Sequence, residues 1–102
     1  MIEILLKAPA EHPCYAGHFP GRPIVPGALL THWIVQHCQH TFPGHTVTGI
    51  KAMKFLHVVE PGDECLAQFS LNEAGTEARV LCRTGGTVIC KGTLRLAVDP
   101  AP

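Results

Sequence analysis

A chain of 102 residues has room for a single small domain with one modest core, so we expect it to self-associate. Eight basic and eight acidic side chains give a formal net charge of zero, which argues against nucleic acid or an anionic membrane surface as a partner. The first residues lack the pattern of a signal peptide, and no apolar run is long enough to span a bilayer. These features predict a cytoplasmic protein.

The five cysteines are odd in number, widely spaced and without a Cys-x-x-Cys pair. This pattern fits neither a disulfide framework nor a zinc ribbon, and it favours reduced, mostly buried thiols. Cys14 lies shortly before a Pro/Gly-rich segment and is a candidate nucleophile. Because the sequence supplies no dedicated base for it, we favour a structural thiol at this position.

Turn-forming residues divide the chain into five predicted strands and one predicted helix. Ile2–Lys7 is a β-compatible run, and the Pro/Gly-rich residues 9–26 that follow cannot form regular structure. The helix is predicted over Gly27–Thr41, because Pro26 suits its start and a Phe-Pro-Gly sequence closes it. The other strands are predicted at residues 46–59, Glu64–Leu71, residues 77–83 and Thr87–Val98, with a tight hairpin at Gly85-Gly86.

The predicted helix carries apolar residues around most of its circumference, which predicts that it is largely buried. The remaining polar strip contains His32, Gln36 and Gln39, of which the first two are one turn apart. One such helix beside several antiparallel strands predicts an α+β domain whose sheet wraps around the helix, the outline of a hot-dog fold. The apolar positions are Leu29, Leu30, Trp33, Ile34, Val35 and Cys38.

His18 lies in a loop that prolines and glycines restrict, shortly before the predicted helix. An imidazole with an unperturbed pKa of about 6.5 can act as a base or an acid near neutral pH. The helix start at Gly27 and Ala28 offers unpaired N–H groups and the positive end of the helix dipole. Together these groups could take a proton from the carbon beside a thioester carbonyl. A loop histidine that only caps local backbone fits the residue types equally well.

Three motifs carry a resemblance to a known family: HFPGRPIVPG at residues 18–27, MKFLHVVEPGD at residues 53–63 and ICKGTL at residues 89–94. In the same order, they resemble blocks of the FabZ/FabA-type 3-hydroxyacyl-acyl-carrier-protein dehydratases. The resemblance implies one hot-dog domain over residues 1–102. It also implies dehydration of 3-hydroxyacyl-carrier-protein to the trans-2-enoyl product, in fatty-acid, aryl polyene or polyketide biosynthesis and without a metal or other cofactor.

The resemblance also implies roles for single residues at a dimer interface. His18 would be the catalytic base or acid, and the backbone amide of Gly27 would bind the thioester carbonyl. Where the family has a glutamate or aspartate from the partner subunit, this chain has His32. An imidazolium there could donate a proton, and we expect one neutral and one charged histidine because two charged ones repel. The tryptophan at position 33 resembles the Asp-Trp pair that is usual in the aryl-polyene branch of these dehydratases. Gln36 corresponds to a glutamine that is common in the family.

The acyl chain is expected to enter an apolar tunnel beside the helix. Phe19, Ala28, Leu30 and Trp33 are the further residues we expect to bind substrate, together with Gln36. The replacement of the usual acid leaves other hypotheses open. These are an acyl thioesterase, a non-catalytic acyl-binding subunit, and a heteromer whose sister subunit supplies the carboxylate.

The helix also carries three histidines, His32, His37 and His40, which raises the hypothesis of a metal site. Their spacing is not that of the His-Glu-x-x-His motif, and no acidic residue accompanies them. We therefore predict no metal site. The expected partners are acyl carrier protein and a second copy of the chain in a homodimer, in a higher oligomer, or in a heteromer.

Overall fold

The computed structural model describes residues 1–15 and 24–100. In these residues the strands and the helix follow the predicted order: strand β1 (Ile2–Lys7), helix α1 (Gly27–Thr41), and strands β2 (His45–Phe55), β3 (Glu64–Leu71), β4 (Glu77–Thr84) and β5 (Thr87–Val98). A short 3-10 turn (Pro13–Tyr15) also lies between β1 and α1, where the sequence predicts no regular structure. The bounds of β1, α1, β3 and β5 agree with the prediction. Gly85 has a positive φ of 59° in the two-residue hairpin between β4 and β5, as a tight turn requires.

Strand β2 ends at Phe55, although the sequence predicts a strand that continues to residue 59. The N–H groups of Leu56 and His57 both donate to the carbonyl of Ile89, at 2.7 and 3.2 Å. Because two successive amides converge on one acceptor, the regular ladder cannot continue and the chain turns away from β5. The carbonyl of Val59 then accepts a hydrogen bond from Val25, outside the sheet.

The described strands form an antiparallel sheet in the order β1-β3-β4-β5-β2, so β1 and β2 are its edges. Alternation along the strands gives the sheet a buried face and an outer face. On the buried face, Phe69 lies opposite Val80, and Val80 lies opposite Gly92. Helix α1 packs on this face, where Phe42, just after the helix, contacts the Phe69 ring edge-on with the centroids 6.3 Å apart.

Helix α1 contributes one narrow strip to the core. Leu30, Ile34 and Cys38 are buried and lie four residues apart, on one side of the helix. The other apolar residues of the helix, such as Trp33, are only half-buried in the single chain, so the sequence prediction overestimated the burial of the helix. Gln39 accepts a hydrogen bond from Val47 N–H at 3.1 Å and ties the helix to β2. No helix among the described residues has the length and apolarity needed to cross a membrane.

The cysteines whose side chains the structure describes are free and buried, as predicted: Cys38, Cys65, Cys82 and Cys90. Cys14 has its side chain outside the described part. Burial raises the pKa of the Cys38 thiol to about 11. Cys82 lies opposite Cys90, and their hydrogen bond, followed by burial, raises the pKa of the Cys82 thiol. Protonated thiols such as those of Cys38 and Cys82 are poor nucleophiles, and they serve as small apolar packing groups.

Gly92 lies where the backbones of β2 and β5 approach each other closely. A β-carbon at this position would collide with the carbonyl oxygen of Ala52 and lie 2.9 Å from Cα of Met53. Because both are backbone atoms, only a shift of β2 could relieve the contact. We expect Gly92→Ala to lower the free energy of unfolding by about 1–3 kcal/mol, measured by urea denaturation. Gly49→Ala in β2 is the control, since nothing lies within 4 Å of a β-carbon there. An equal loss in both variants would contradict the close approach.

Candidate active site

Among the residues that the structure describes, no side chain caps the start of helix α1. Pro26 holds the capping position, and its carbonyl accepts the first helical hydrogen bond, from Leu30 N–H at 3.0 Å. The amides of Gly27 and Ala28 precede this ladder, and neither has a hydrogen-bond partner within residues 1–15 and 24–100. Unpaired N–H groups at the positive end of the helix dipole attract an oxygen that carries negative charge. The helix start can therefore bind a polarised carbonyl.

Phe55 forms a wall beside this helix start. A β-carbon at Gly27 would lie 3.4 Å from the nearest atoms of the Phe55 ring. Any larger side chain at Gly27 would therefore compete with the ring for the same space. Although it closes β2, Phe55 remains 44% exposed. The amide of Gly27 thus lies beside an aromatic surface that solvent or another chain can reach.

Both ends of the Pro/Gly-rich segment are hydrogen-bonded to residues 59–63. At the first end, Ala8 N–H donates to the carbonyl of Asp63 at 2.9 Å, and Gly62 N–H donates to the carbonyl of Ala8 at 3.0 Å. At the second end, Val25 N–H donates to the carbonyl of Val59 at 2.7 Å. Ala8, Val25 and Val59 are all buried, so water competes little for the bond between Val25 and Val59. We refer to residues 59–63 as the clamp.

The clamp is built around a β-turn. Asp63 N–H donates to the carbonyl of Glu60 at 3.0 Å, with Pro61 and Gly62 at the centre of the turn. Proline suits the first central position, and the φ of 89° at Gly62 suits the second position of a type II turn. In return, the Asp63 carboxylate accepts a hydrogen bond from Glu60 N–H at 2.9 Å. The Pro-Gly-Asp sequence is therefore explained by the turn that these residues form.

A cluster of rings connects the beginning of the segment to the helix. The His12 ring lies 5.6 Å from the Tyr15 ring and meets the Trp33 ring edge-on at 6.0 Å, between centroids. The Tyr15 hydroxyl donates to the carbonyl of Pro9 at 2.9 Å. No local sequence pattern predicts the contact between His12 and Trp33, because it joins distant parts of the chain.

Two of the residues predicted for the site, His18 and Phe19, lie outside the described residues, and their roles stay predictions. Of the others on α1, Ala28, His32 and Gln36 are exposed. No hydrogen bond joins His32 to Gly27 among the described residues, and the expectation that these groups meet between two chains stays a prediction.

The predicted acyl tunnel beside the helix stays a prediction as well. Leu30 is 2% exposed and packs in the core of the single chain, whereas Trp33 is half-buried. An open groove of about 470 Å³ is present, but it lies on the outer face of the sheet. His32, His37 and His40 join no cluster of three metal-ligating side chains among the residues that the structure describes.

The edge of the sheet next to the helix start is apolar. Four large apolar side chains at or after the edge strand β2 are between 42% and 54% exposed: Ile50, Phe55, Leu56 and Val58. An edge strand also has backbone groups that can pair with another strand. Exposed apolar side chains beside such an edge are typical of a surface that a further chain covers.

Comparison with a family model and with curated proteins finds similarity to dehydratases in both cases. Residues 1–93 match the model of the ApeI-like family, described as ApeI dehydratase. The FabZ 3-hydroxyacyl-[acyl-carrier-protein] dehydratase of Caldicellulosiruptor saccharolyticus is 33% identical over 99 residues, which cover 86% of this chain and 71% of the relative. The FabZ dehydratase of Acetivibrio thermocellus is 32% identical over 99 residues, or 86% of this chain and 68% of the relative.

Solved structures confirm the predicted hot-dog fold. A chain of the dehydratase heterocomplex ApeI:P from Xenorhabdus doucetiae superposes with a TM-score of 0.79 at 23% identity, covering 93% of this chain and 85% of that one. The fluoroacetyl-CoA-specific thioesterase FlK superposes with a TM-score of 0.73 at 15% identity, covering 96% and 88%. At these identities the similarity concerns the fold alone.

Amide hydrogen exchange can test the clamp. In Asp63→Ala the Glu60 N–H loses its carboxylate acceptor, and we expect a loss of about 1 kcal/mol in the free energy of unfolding. The amides of Ala8 and Val25 should exchange about five- to tenfold faster, because the clamp, which supplies their acceptors, opens more often. Asp63→Asn keeps an oxygen acceptor and should recover part of the protection.

The matched control for this experiment is Asp99→Ala. The Asp99 carboxylate also accepts a hydrogen bond, from the Thr46 hydroxyl at 2.7 Å, but on an exposed surface. We expect this variant to leave the exchange of Ala8 and Val25 unchanged. If Asp63→Ala also left both amides unchanged, the clamp would not hold the segment.

Proposed function

The chain belongs to the ApeI-like family of dehydratases, and we propose on that premise that it removes water from 3-hydroxyacyl thioesters of acyl carrier protein to give trans-2-enoyl thioesters. The observation that carries this proposal is the start of α1, where the Gly27 amide lies beside Phe55 and has no hydrogen-bond partner among the described residues. The names of the FabZ relatives, which specify substrates on acyl carrier protein, support the choice of carrier.

The helix start would bind the thioester carbonyl. The carbonyl oxygen accepts a hydrogen bond from Gly27 N–H and lies at the positive end of the helix dipole. When the carbon next to the carbonyl loses its proton, negative charge develops on this oxygen. A fixed donor stabilises that charge without reorganising water, which is the largest contribution we expect from this site.

His18 would take the proton. As a neutral imidazole it accepts the proton from C2 of the acyl chain, and the electron pair of the broken C–H bond forms the double bond between C2 and C3. The C3–O bond breaks, and the hydroxyl leaves as water after it receives a proton from an acid. The clamp supports this role, since it anchors both ends of the segment that carries His18.

We assign the acid to His32 of a second copy of the chain, in its imidazolium form. His32 is exposed on α1, and the apolar edge at β2 offers a surface for the second copy. One histidine starts neutral and the other charged, so His18 gains the proton that C2 loses and His32 loses the proton that leaves with the hydroxyl. Proton exchange with solvent then restores both histidines before the next turnover.

A heteromer is the second arrangement. It is favoured by the presence of His32 where the dehydratases have an acidic residue, and the Xenorhabdus neighbour is named as a dehydratase heterocomplex. In this arrangement the chain would supply His18 and Gly27, while a carboxyl group of the sister subunit would protonate the leaving hydroxyl. We do not propose thioester hydrolysis, because position 32 offers no carboxylate to activate water.

The proposed chemistry needs neither a metal nor an organic cofactor, since one base, one acid and one hydrogen-bond donor are sufficient. We place the reaction in the cytoplasm, where the free thiols of the described cysteines would stay reduced.

Mass spectrometry of the carrier-bound acyl group tests the activity and His18. Incubation with a 3-hydroxyacyl-carrier-protein should remove the mass of one water, and His18→Ala should lower the rate by about 10²- to 10⁴-fold, since it removes the general base. His40→Ala, which changes an exposed histidine at the end of α1, should leave the rate unchanged. Release of the free acid would indicate a thioesterase, and unchanged turnover in His18→Ala would remove His18 from the mechanism.

Substitutions at His32 separate the two arrangements. If His32 is the acid of a homodimer, the chain alone is active, His32→Ala lowers kcat by about 10²-fold or more, and His32→Glu retains activity through the carboxyl group. Full activity of His32→Ala in the isolated protein would overturn this role. No turnover by the chain alone, with activity on addition of a hot-dog subunit that carries the acid, would establish the heteromer instead.

A further inference from the structure

The outer face of the sheet carries an open groove of about 470 Å³, within the usual size range of small-molecule sites. It crosses β2, β3, β4 and β5 on the side that faces away from α1. The register shows this placement. One row of paired residues runs across the four strands through Gln68, Leu81, Lys91 and Lys54. Each of them is next in sequence to a residue of the row that contains Phe69, Val80 and Gly92 on the buried face, so their side chains point to the other face. We call this feature the outer groove.

Three cations line the outer groove, and acidic residues lie only at its borders, where Glu3 accepts from Gln68 and Glu77 is two residues from Arg79 on β4. Lys54, Arg79 and Lys91 are exposed, and no Asp or Glu lines this part of the described surface. The ion pair that the described residues form joins Lys51 to Glu77 at 3.1 Å, so the three groove cations have no carboxylate partner there. Because the whole chain has a formal net charge of zero, this positive charge is a local concentration.

The arrangement of these cations has an energetic cost in the free protein. Lys54 and Lys91 are direct cross-strand partners, and like charges in such a pair are destabilising. Arg79 lies in the next row, opposite Thr93, and adds to the same field. An anion in the groove would reduce this repulsion. It could pair with the ammonium groups of Lys54 and Lys91 and with the Arg79 guanidinium, which can bind two oxygens at once.

The rest of the lining completes an amphiphilic site. Ser70 and Thr93 contribute hydroxyl groups, and Gln68 contributes an amide whose nitrogen donates to Glu3 at 2.8 Å. Most of the groove surface is nevertheless apolar, with the Leu81 and Met1 side chains among its contributors. A small inorganic anion would leave this apolar surface uncovered, whereas an anion with a hydrocarbon part would cover it.

We propose that the outer groove binds an amphiphilic anion, a carboxylate or phosphate ester with an apolar tail. The head group would pair with Lys54, Arg79 and Lys91, and the tail would lie on Leu81. This site lies on the opposite face of the sheet from α1, so it is separate from the proposed catalytic site and does not depend on the proposed reaction.

NMR titration of the full chain, read at the backbone amides of β3, β4 and β5, tests the proposal with three probes that share an eight-carbon tail. Octanoate and octyl phosphate carry an anionic head, and octyl glucoside carries a neutral one. We expect at least one anionic probe to shift the amides of Leu81, Lys91 and Thr93, and to bind at least about tenfold more tightly than octyl glucoside, since the ion pairs add about 1.4 kcal/mol or more. The stronger of the two anionic probes identifies the head group.

Two double variants of equal charge change locate the binding. Arg79→Gln with Lys91→Gln removes two groove cations, and it should weaken the anionic probe at least about tenfold. Lys51→Gln with Arg95→Gln removes the same residue types outside the groove, and it should change binding less than about twofold. Because Lys91→Gln also removes the like-charge neighbour of Lys54, the groove variant should melt at a temperature no lower than that of the unmodified protein.

Each alternative result overturns the proposal. Equal binding of octyl glucoside would show a purely apolar surface, and an equal loss in both double variants would show attraction to overall charge. The absence of shifts in β3, β4 and β5 with both anionic probes would exclude the site. If sedimentation shows a dimer at the concentrations used and the probes compete with dimer formation, the groove is an interface between chains.

Discussion

The hydrogen bonds of the clamp at residues 59–63 hold the chain at two places that are far apart in sequence. They fix Ala8 just after β1 and Val25 just before α1. Ala8, Val25 and Val59 are buried, whereas the turn residues are more exposed. Inside a protein such bonds face little competition from water, and losing one partner leaves an unsatisfied group. The residues on either side of the segment that carries His18 are therefore both anchored to the clamp, directly before β3.

The departure of β2 from the sheet produces both the clamp and the wall of the candidate site. Because Leu56 and His57 share one carbonyl acceptor, the chain leaves β5 directly after Phe55. Phe55 then covers Gly27 on one side, and Val59 becomes available to Val25. The open helix terminus, its aromatic neighbour and the anchored segment thus have a common structural origin. The exposed apolar edge at β2 places the same elements next to a surface that a second chain can cover.

Local signals explain what could be predicted from the sequence. Proline and glycine mark the ends of α1 and most strands, and a motif of consecutive residues identifies Gly27 as a candidate. The end of β2 could not be predicted, because the bond between Val25 and Val59 joins distant segments. The contact between His12 and Trp33 escaped for the same reason. The outer groove depends on cross-strand register, including two irregularities in β2, which no single segment encodes.

Binding of a carbonyl by the Gly27 amide is the central claim about the site. The most direct test is a crystal structure of the protein with an amide analogue of a 3-hydroxyacyl-pantetheine thioester, which cannot be dehydrated or hydrolysed readily. We predict that the carbonyl oxygen of the analogue lies about 3 Å from the nitrogen of Gly27, beside the Phe55 ring. An analogue bound with its carbonyl at another position, and with the Gly27 amide facing water, would contradict the claim.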